Sequence, residues 1–289
     1  MKTSFFKNIL VPTDFSKGAD IALEYACEFA SKLGAKIVLM HSYHMVPGRR
    51  IYTLEQIENL MKQIRQDAEN RLKKYVSDVE KKYPSVAIEF VNESGLLFDV
   101  IQKTIEEKNI DAIIMGTKGA SGFQEYFVGS NTANVIENCN IPVFVIPEEA
   151  HYHPIKKILY ATDFEYDDIT AIKKLVDLAS VYDAEIEVVH ISPGGKYEVS
   201  LNEELMNWFK DIAQTQIKYP KLYFKNVIDN TSILSALNTL IKNKNIDLVA
   251  MSTTGKTFIK RLFTGSISRK MAYHTDIPFF CFHIENPDE

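Results

Sequence analysis

Only three cysteines occur in the 289 residues, and they stand far apart at Cys27, Cys139 and Cys281. An odd, scattered set excludes a disulfide framework and suits a reducing compartment. A basic excess is also missing: the net charge is −5, so the electrostatic footprint of a nucleic-acid surface is not there. No apolar run reaches the ~18 residues needed to cross a bilayer. Met1 to Phe15 shows neither a signal-peptide core nor a small-residue cleavage site. The expectation is a cytoplasmic chain with no nucleic-acid and no membrane partner. Catalytic signatures are sparse too. No Ser–His–Asp set, activated cysteine or pair of catalytic carboxylates can be picked out. His44, His151 and His153 have no Cys or His partners at ligand spacing, so no metal site is assigned.

What is present is an ordinary globular composition, 46% apolar and 25% charged, with a length that suggests about two domains. The chain repeats itself. Lys7 to Phe15 reads KNILVPTDF and Lys156 to Phe164 reads KKILYATDF. Asn109 to Gly119 reads NIDAIIMGTKG and Asn245 to Gly255 reads NIDLVAMSTTG. Gly129-Ser130 and Gly265-Ser266 stand at the same distance before Ile141-Pro142 and Ile277-Pro278. The first copy carries extra residues between His41 and Val91. The seam falls in the polar stretch Glu148 to Pro154, which divides the chain into 1–149 and 150–289.

Within the first copy, short apolar runs alternate with helical periodicity. Strands are expected at Asn8 to Val11, Lys36 to His41, Val86 to Val91, Ala112 to Met115 and Val143 to Ile146. Helices are expected between them: one through Ala22, Ala26, Phe29, Ala30 and Leu33, ended by Gly34, and one over Leu97 to Glu107. A long helix from Leu54 to Lys82 would lay Ile57, Leu60, Met61, Ile64, Ala68, Leu72, Tyr75 and Val79 on the sheet. A short helix starts at Ser130. Alternation of this kind implies a doubly wound, Rossmann-like α/β fold. The prediction is two tandem open parallel five-stranded sheets of order 3-2-1-4-5, with helices on both faces. Each copy ends in an apolar strand, Val143 to Ile146 and Phe279 to Phe282. Unpaired edges there would be satisfied by antiparallel pairing within the chain, giving an internal pseudo-dimer. Homodimerisation through other surfaces is a further option.

The chemistry-bearing segment follows the fourth strand. Gly116-Thr117-Lys118-Gly119 is followed, nine residues on, by Gly129-Ser130-Asn131-Thr132. A glycine directly after a strand lets a ligand approach the backbone. A helix opening at Gly129-Ser130 offers free N–H groups and a positive dipole end to anions, and Ser130 and Thr132 could add hydroxyls. Spacing alone leaves two readings, a phosphate loop or a glycine-rich turn with Ser130 as helix cap. Asp14, just past the first strand, is likewise either a helix cap or an acceptor for a ribose hydroxyl or adenine amine. With a 3-2-1-4-5 order, Asp14 and Gly116 would stand together where the sheet reverses direction, the place at which open α/β sheets bind ligands.

The ladder ILVPTDFS, MGTKG and GSNTANVIENCNIPVFVIP resembles the universal stress protein family. It matches that family's ATP-binding pattern G-x2-G-x9-G-[ST] at Gly116, Gly119, Gly129 and Ser130, and the likeness covers nearly the whole chain as two tandem domains. The resemblance implies that Pro12, Thr13 and Asp14 line the adenosine side. It implies that Met115, Gly116, Lys118 and Gly119 wrap ribose and phosphates, and that Gly129, Ser130, Asn131 and Thr132 hold the phosphate chain. The ligand implied is ATP, with or without magnesium. Ser42 departs from the pattern, since the family often has an apolar residue beside adenine there.

In the second copy Ser252 replaces the first glycine, while Gly255, Gly265, Ser266 and Asp163 keep their places. That copy is read as a weakened site, which Ser252→Gly is expected to reopen. Ala250 to Thr257, AMSTTGKT, looks like a P-loop, but the repeat already accounts for Gly255. His41 and His190 are repeat equivalents and read as a shared structural feature, and Arg49 and Arg50 read as a solvated loop tip. The function expected is an ATP-binding stress-response or regulatory protein with at most slow hydrolysis. The alternatives are an adenine-nucleotide α-hydrolase-type enzyme and a nucleotide-free interaction scaffold.

Overall fold

In the computed structural model, residues 6–44, 53–117, 129–192, 196–229, 233–252 and 276–282 are described. The first copy contributes β1 (Asn8–Pro12), α1 (Lys17–Leu33), β2 (Lys36–Tyr43), α2 (Leu54–Lys82), β3 (Ala87–Ser94), α3 (Leu97–Lys108), β4 (Ala112–Gly116), α4 (Ser130–Asn138) and β5 (Val143–Ile146). The second contributes β6 (Lys157–Ala161), α5 (Tyr166–Tyr182), β7 (Glu185–Ser192), α6 (Lys196–Gln216), β8 (Leu222–Ile228), α7 (Ile233–Lys244), β9 (Leu248–Ser252) and β10 (Phe279–Phe282).

The strands form one continuous ten-stranded sheet of order β3-β2-β1-β4-β5-β10-β9-β6-β7-β8. Each half has the expected 3-2-1-4-5 order and is parallel throughout. The halves meet where β5 and β10 pair antiparallel, with Phe280 opposite Phe144 and Cys281 opposite Val143. The two sheets anticipated from the repeat are therefore one sheet, and neither inner edge is left unpaired.

Residues of each strand alternate between two hydrophobic clusters, one on each face. Ile9, Val11, Ile37, Leu39, Ile114, Phe144 and Phe280 pack with α1, α2, α5 and α6. Leu10, Val38, Met40, Ile113, Val145 and Cys281 pack with α3, α4 and α7. Burial on both faces explains why these strands read as unbroken apolar runs. Local signals fix the helix ends. Ser16 caps α1 by accepting from Ala19 N–H, and Gly34 closes it in the left-handed conformation at φ 69°. Thr53 and Gln56 form a reciprocal capping box on α2.

The repeated NID sequence has a structural purpose. Asp111 Oδ2 accepts from the backbone N–H of Lys7 and Asn8, both at 2.8 Å. Asp247 Oδ2 accepts from those of Lys156 and Lys157 at 2.7 and 2.8 Å. Each aspartate thus pins the start of its half's central strand. The polar seam is held as well: Tyr25 OH donates to His151 O at 2.9 Å, and Tyr152 packs against Tyr25 and Phe29.

The apolar stripe of α2 is buried only in part. Ala68, Leu72 and Val79 are buried, whereas Ile57, Leu60, Met61 and Ile64 are half-buried and Leu54 is exposed. Length accounts for the difference. A 29-residue helix runs about 44 Å, against about 26 Å for an eight-residue strand such as β2. The helix therefore overhangs the sheet at its N-terminal end.

Candidate functional site

The carboxyl ends of β1 and β4, adjacent parallel strands on either side of the reversal, define the crevice of the first half. The turn after β1 is built from its own residues. Thr13 is buried, its N–H donates to Met40 O at 2.8 Å, and its Oγ1 accepts from Phe15 N–H at 3.0 Å. Phe15 takes a positive φ of 63°, as does its counterpart Phe164 at 65°. Asp14 is exposed at the mouth, and its Oδ1 accepts from Ser16 N–H at 3.0 Å. Asp14 is thus not the cap of α1; that position belongs to Ser16.

Gly116 ends β4 against the first turn of α1. A Cβ built on it would lie 2.8 Å from Gly18 O and 2.9 Å from Gly18 C. Only glycine permits this approach of strand end to helix start. Beyond it, Thr117 N–H donates to Ile146 O at 3.0 Å, and Thr117 O accepts from Gly129 N–H at 2.6 Å. That last bond brings the two glycine positions of the motif together across the intervening loop. Gly129, not Ser130, is the N-cap residue of α4, and among the described residues no side-chain capping bond to this helix is made. Ser130 and Asn131 are exposed, and the first intrahelical bond is Ala133 N–H to Gly129 O. The N–H groups of Ser130, Asn131 and Thr132 therefore precede the helical ladder, with the positive end of α4 behind them.

The sequence-derived site residues divide by role. Asp14, Gly116, Gly129, Ser130 and Asn131 line the crevice. Pro12, Thr13 and Met115 are buried and shape it from below, Met115 with its side chain in the core. Thr132 is buried and its hydroxyl donates to Gly116 O at 2.9 Å. That hydroxyl, anticipated as a phosphate donor, instead ties α4 to β4. Lys118 and Gly119 lie outside the described residues, as do Arg49, Arg50, Gly255, Gly265 and Ser266. No group of three metal-ligating side chains stands among the described residues.

The histidine pair has a shared structural place. His41 Nδ1 bonds Thr13 O at 2.7 Å, and His190 Nδ1 bonds Thr162 O at 2.9 Å. A carbonyl partner makes Nδ1 the protonated nitrogen in each. Each ring also lies against the phenylalanine of its turn, at 4.6 Å for Phe15 and 4.2 Å for Phe164. Burial, seconded by the nearby Arg71, holds His41 below the ordinary imidazole range. Arg71 lies 3.9 Å over the Phe15 ring. His153 is engaged as well, through Asp247 Oδ1 at 2.9 Å. Asn92 and Asn226 escaped sequence reasoning. They face His41 and His190 across the strands and donate to helix carbonyls of Arg65 and Asn202. The recurring Phe90-x-Asn92 and Phe224-x-Asn226 is a sequence signal that marks them.

A parallel doubly wound sheet with a helix start beside its reversal point defines a Rossmann-like α/β fold. The model of the universal stress protein family matches residues 5–147 and again 154–283, and the chain belongs to that family. Universal stress protein MJ0577 of Methanocaldococcus jannaschii is 32% identical over 158 residues, covering 49% of this chain and 94% of that protein. Universal stress protein Slr1230 of Synechocystis is 22% identical over 96% of this chain and 99% of its own length. A universal stress protein from Archaeoglobus fulgidus shares the fold over the full length of both chains, with a TM-score of 0.71 and 19% identity.

Proposed function

We propose that the chain is a regulatory ATP-binding protein whose first half, residues 1–149, holds one nucleotide, while the second half, 150–289, is a degenerate partner. The observation that carries this reading is the junction of Gly116 and Gly129. Strand end and helix start are drawn together through Thr117 O and the Thr132 hydroxyl. The result is a surface of glycine backbone beside the positive end of α4, whose start has no side-chain cap among the described residues. That is the requirement of a polyphosphate: close backbone approach and unspent N–H donors. Asp14 at the mouth supplies an acceptor for a ribose hydroxyl or an adenine amine.

The same geometry argues for holding ATP rather than cleaving it quickly. Fast phosphoryl transfer needs metal clamps and an oriented nucleophile. Around this crevice His41 is committed to Thr13 O and Thr132 to Gly116 O. Magnesium, where present, would arrive on the phosphates. Hydrolysis is accordingly slow at most, and the cytosolic assignment rests on three buried, unpaired thiols.

Gly129→Val tests the reading. A branched side chain at the cap would stand against the phosphates, and calorimetry is expected to show loss of ATP binding with an unchanged circular dichroism spectrum. Unaltered ATP affinity in that variant would overturn the assignment.

A further inference from the structure

The seam between the halves is a strap stitched to both of them by three consecutive residues. His151 O accepts from Tyr25 OH of α1 at 2.9 Å. The Tyr152 ring packs edge-on against Tyr25 and Phe29, also of α1, at 5.4 and 6.4 Å. Its hydroxyl meets that of Tyr182, at the end of α5, at 3.3 Å. His153 reaches the second half through Asp247, just ahead of β9, with Nε2 at 2.9 Å from Oδ1. The other oxygen of Asp247 accepts from the N–H groups of Lys156 and Lys157.

His153 has a second contact. Its Nδ1 lies 3.0 Å from His151 O, the carbonyl that Tyr25 also uses. Both ring nitrogens therefore face oxygens that only accept, a carbonyl and a carboxylate. A neutral imidazole carries one N–H and one lone pair, whereas an imidazolium carries two N–H groups. In either neutral tautomer one nitrogen turns a lone pair toward an oxygen. Only the charged ring satisfies both contacts, and imidazole is the side chain that changes charge between about pH 5 and 8. The His153 side chain is 51% exposed and that of Asp247 15%. The ring can thus take a proton from solvent while its carboxylate partner is largely shielded.

We propose that His153 is a proton-dependent stitch, which fastens the strap between the halves on acidification and loosens it on the alkaline side. The other charges around the strap are mixed. Glu24 of α1 and Asp276, ahead of β10, act on Tyr25, and Glu28 acts on Tyr152. Lys156 and Lys157 carry exposed side chains at the strand start beside Asp247. The pair of acceptors is what singles out His153. The second bond exists only in the folded chain, so it adds stability where the ring is charged and is lost as the pH rises through the imidazole range. A half-exposed contact contributes little in total stability. Its place gives it a role: Tyr25 and Asp247 belong to different halves, and Asp247 also pins the start of β6.

Thermal unfolding of the full chain from about pH 5.5 to about pH 8 tests the stitch, with wild type beside His153→Gln. Glutamine is uncharged and keeps an amide donor for Asp247, so the variant removes the second, charge-dependent bond. Wild type is expected to hold a Tm about 1–3 °C above the variant at the acid end. The gap should close at the alkaline end. His151→Gln is the control, because it removes a neighbouring imidazole and keeps the backbone carbonyl. It is expected to show no pH-dependent gap. A gap for His153→Gln that stays constant, or that opens on the alkaline side, would overturn the proposal. An equal pH-dependent gap in His151→Gln would overturn it too, by assigning the effect to the general charge of the strap.

Discussion

The rings of Phe144 and Phe280 stack at 3.5 Å between centroids and 16° between planes, one from each half of the chain. They are directly opposed in the antiparallel register of β5 and β10, and Phe6 leans on both, at 6.0 and 5.9 Å. The stack lies at the middle of the sheet, on the face that carries α1, α2, α5 and α6, within a core drawn from both halves. Phe280→Ala is predicted to destabilise the whole chain by about 3–5 kcal/mol. Amide protection of Val143 and Val145 should fall with it, because β5 is paired with β4 on one edge and across the junction with β10 on the other, its N–H groups alternating between them. Exchange that is slowed as before in Phe280→Ala would show that the halves do not depend on this contact.

Gly116 provides a second prediction. A methyl group there would approach the carbonyl of Gly18 to 2.8 Å, and the obstacle is backbone that cannot rotate aside. Gly116→Ala is expected to cost about 1–3 kcal/mol as an overpacked contact and to weaken ATP binding by moving β4 relative to α1. Urea unfolding beside an ATP titration measures both. A variant as stable as wild type and of equal affinity would remove the close-approach argument.

His41 gives a pH dependence. Its folded pKa is depressed by burial, so the unfolded chain binds the extra proton over the window between that lowered value and about 6.5. The contribution of His41 to stability is therefore full above about pH 6.5 and is lost as the pH falls through the window. The Tm difference between wild type and His41→Gln should narrow on acidification from about pH 7.5 to about pH 5. A difference that stays constant, or widens in acid, would contradict the assignment of a neutral His41.

The thiols should be silent. Burial pushes Cys27, Cys139 and Cys281 each up to about 12, and the reactive species is the thiolate. In the folded chain at about pH 8 a thiol reagent is expected to modify none of the three within minutes, and all three after denaturation. Rapid stoichiometric labelling of the native protein would show that a cysteine is exposed.

Much of this was legible in the sequence. Strand order, the pairing of the last strands, the end of α1 and the extent of α2 follow from apolar runs, Gly34 and the internal repeat, because those signals are local or are stated twice. The overhang of α2 was not, since an apolar stripe records which face turns inward and not how far the sheet beneath it extends. Thr132 was misjudged in its hydroxyl because a threonine in a phosphate-like motif looks the same whether it points out or back to Gly116. In the sequence Asp14 fits a helix cap and a ligand acceptor alike; the structure gives the cap position to Ser16. Asp168 was missed altogether, although the change from Ala19 to Asp168 can be seen by aligning the copies. That it accepts a hydrogen bond from Ser252, 84 positions away, is visible only in the fold.

The central claim is one ATP per chain, held at the junction of Gly116 and Gly129. Native mass spectrometry of the intact chain titrated with ATP tests it most directly. The account predicts a single adduct of ATP mass that saturates at one per chain and is missing from Gly129→Val. A wild-type chain that takes up no nucleotide, or that fills two sites together from the lowest concentrations, would contradict it.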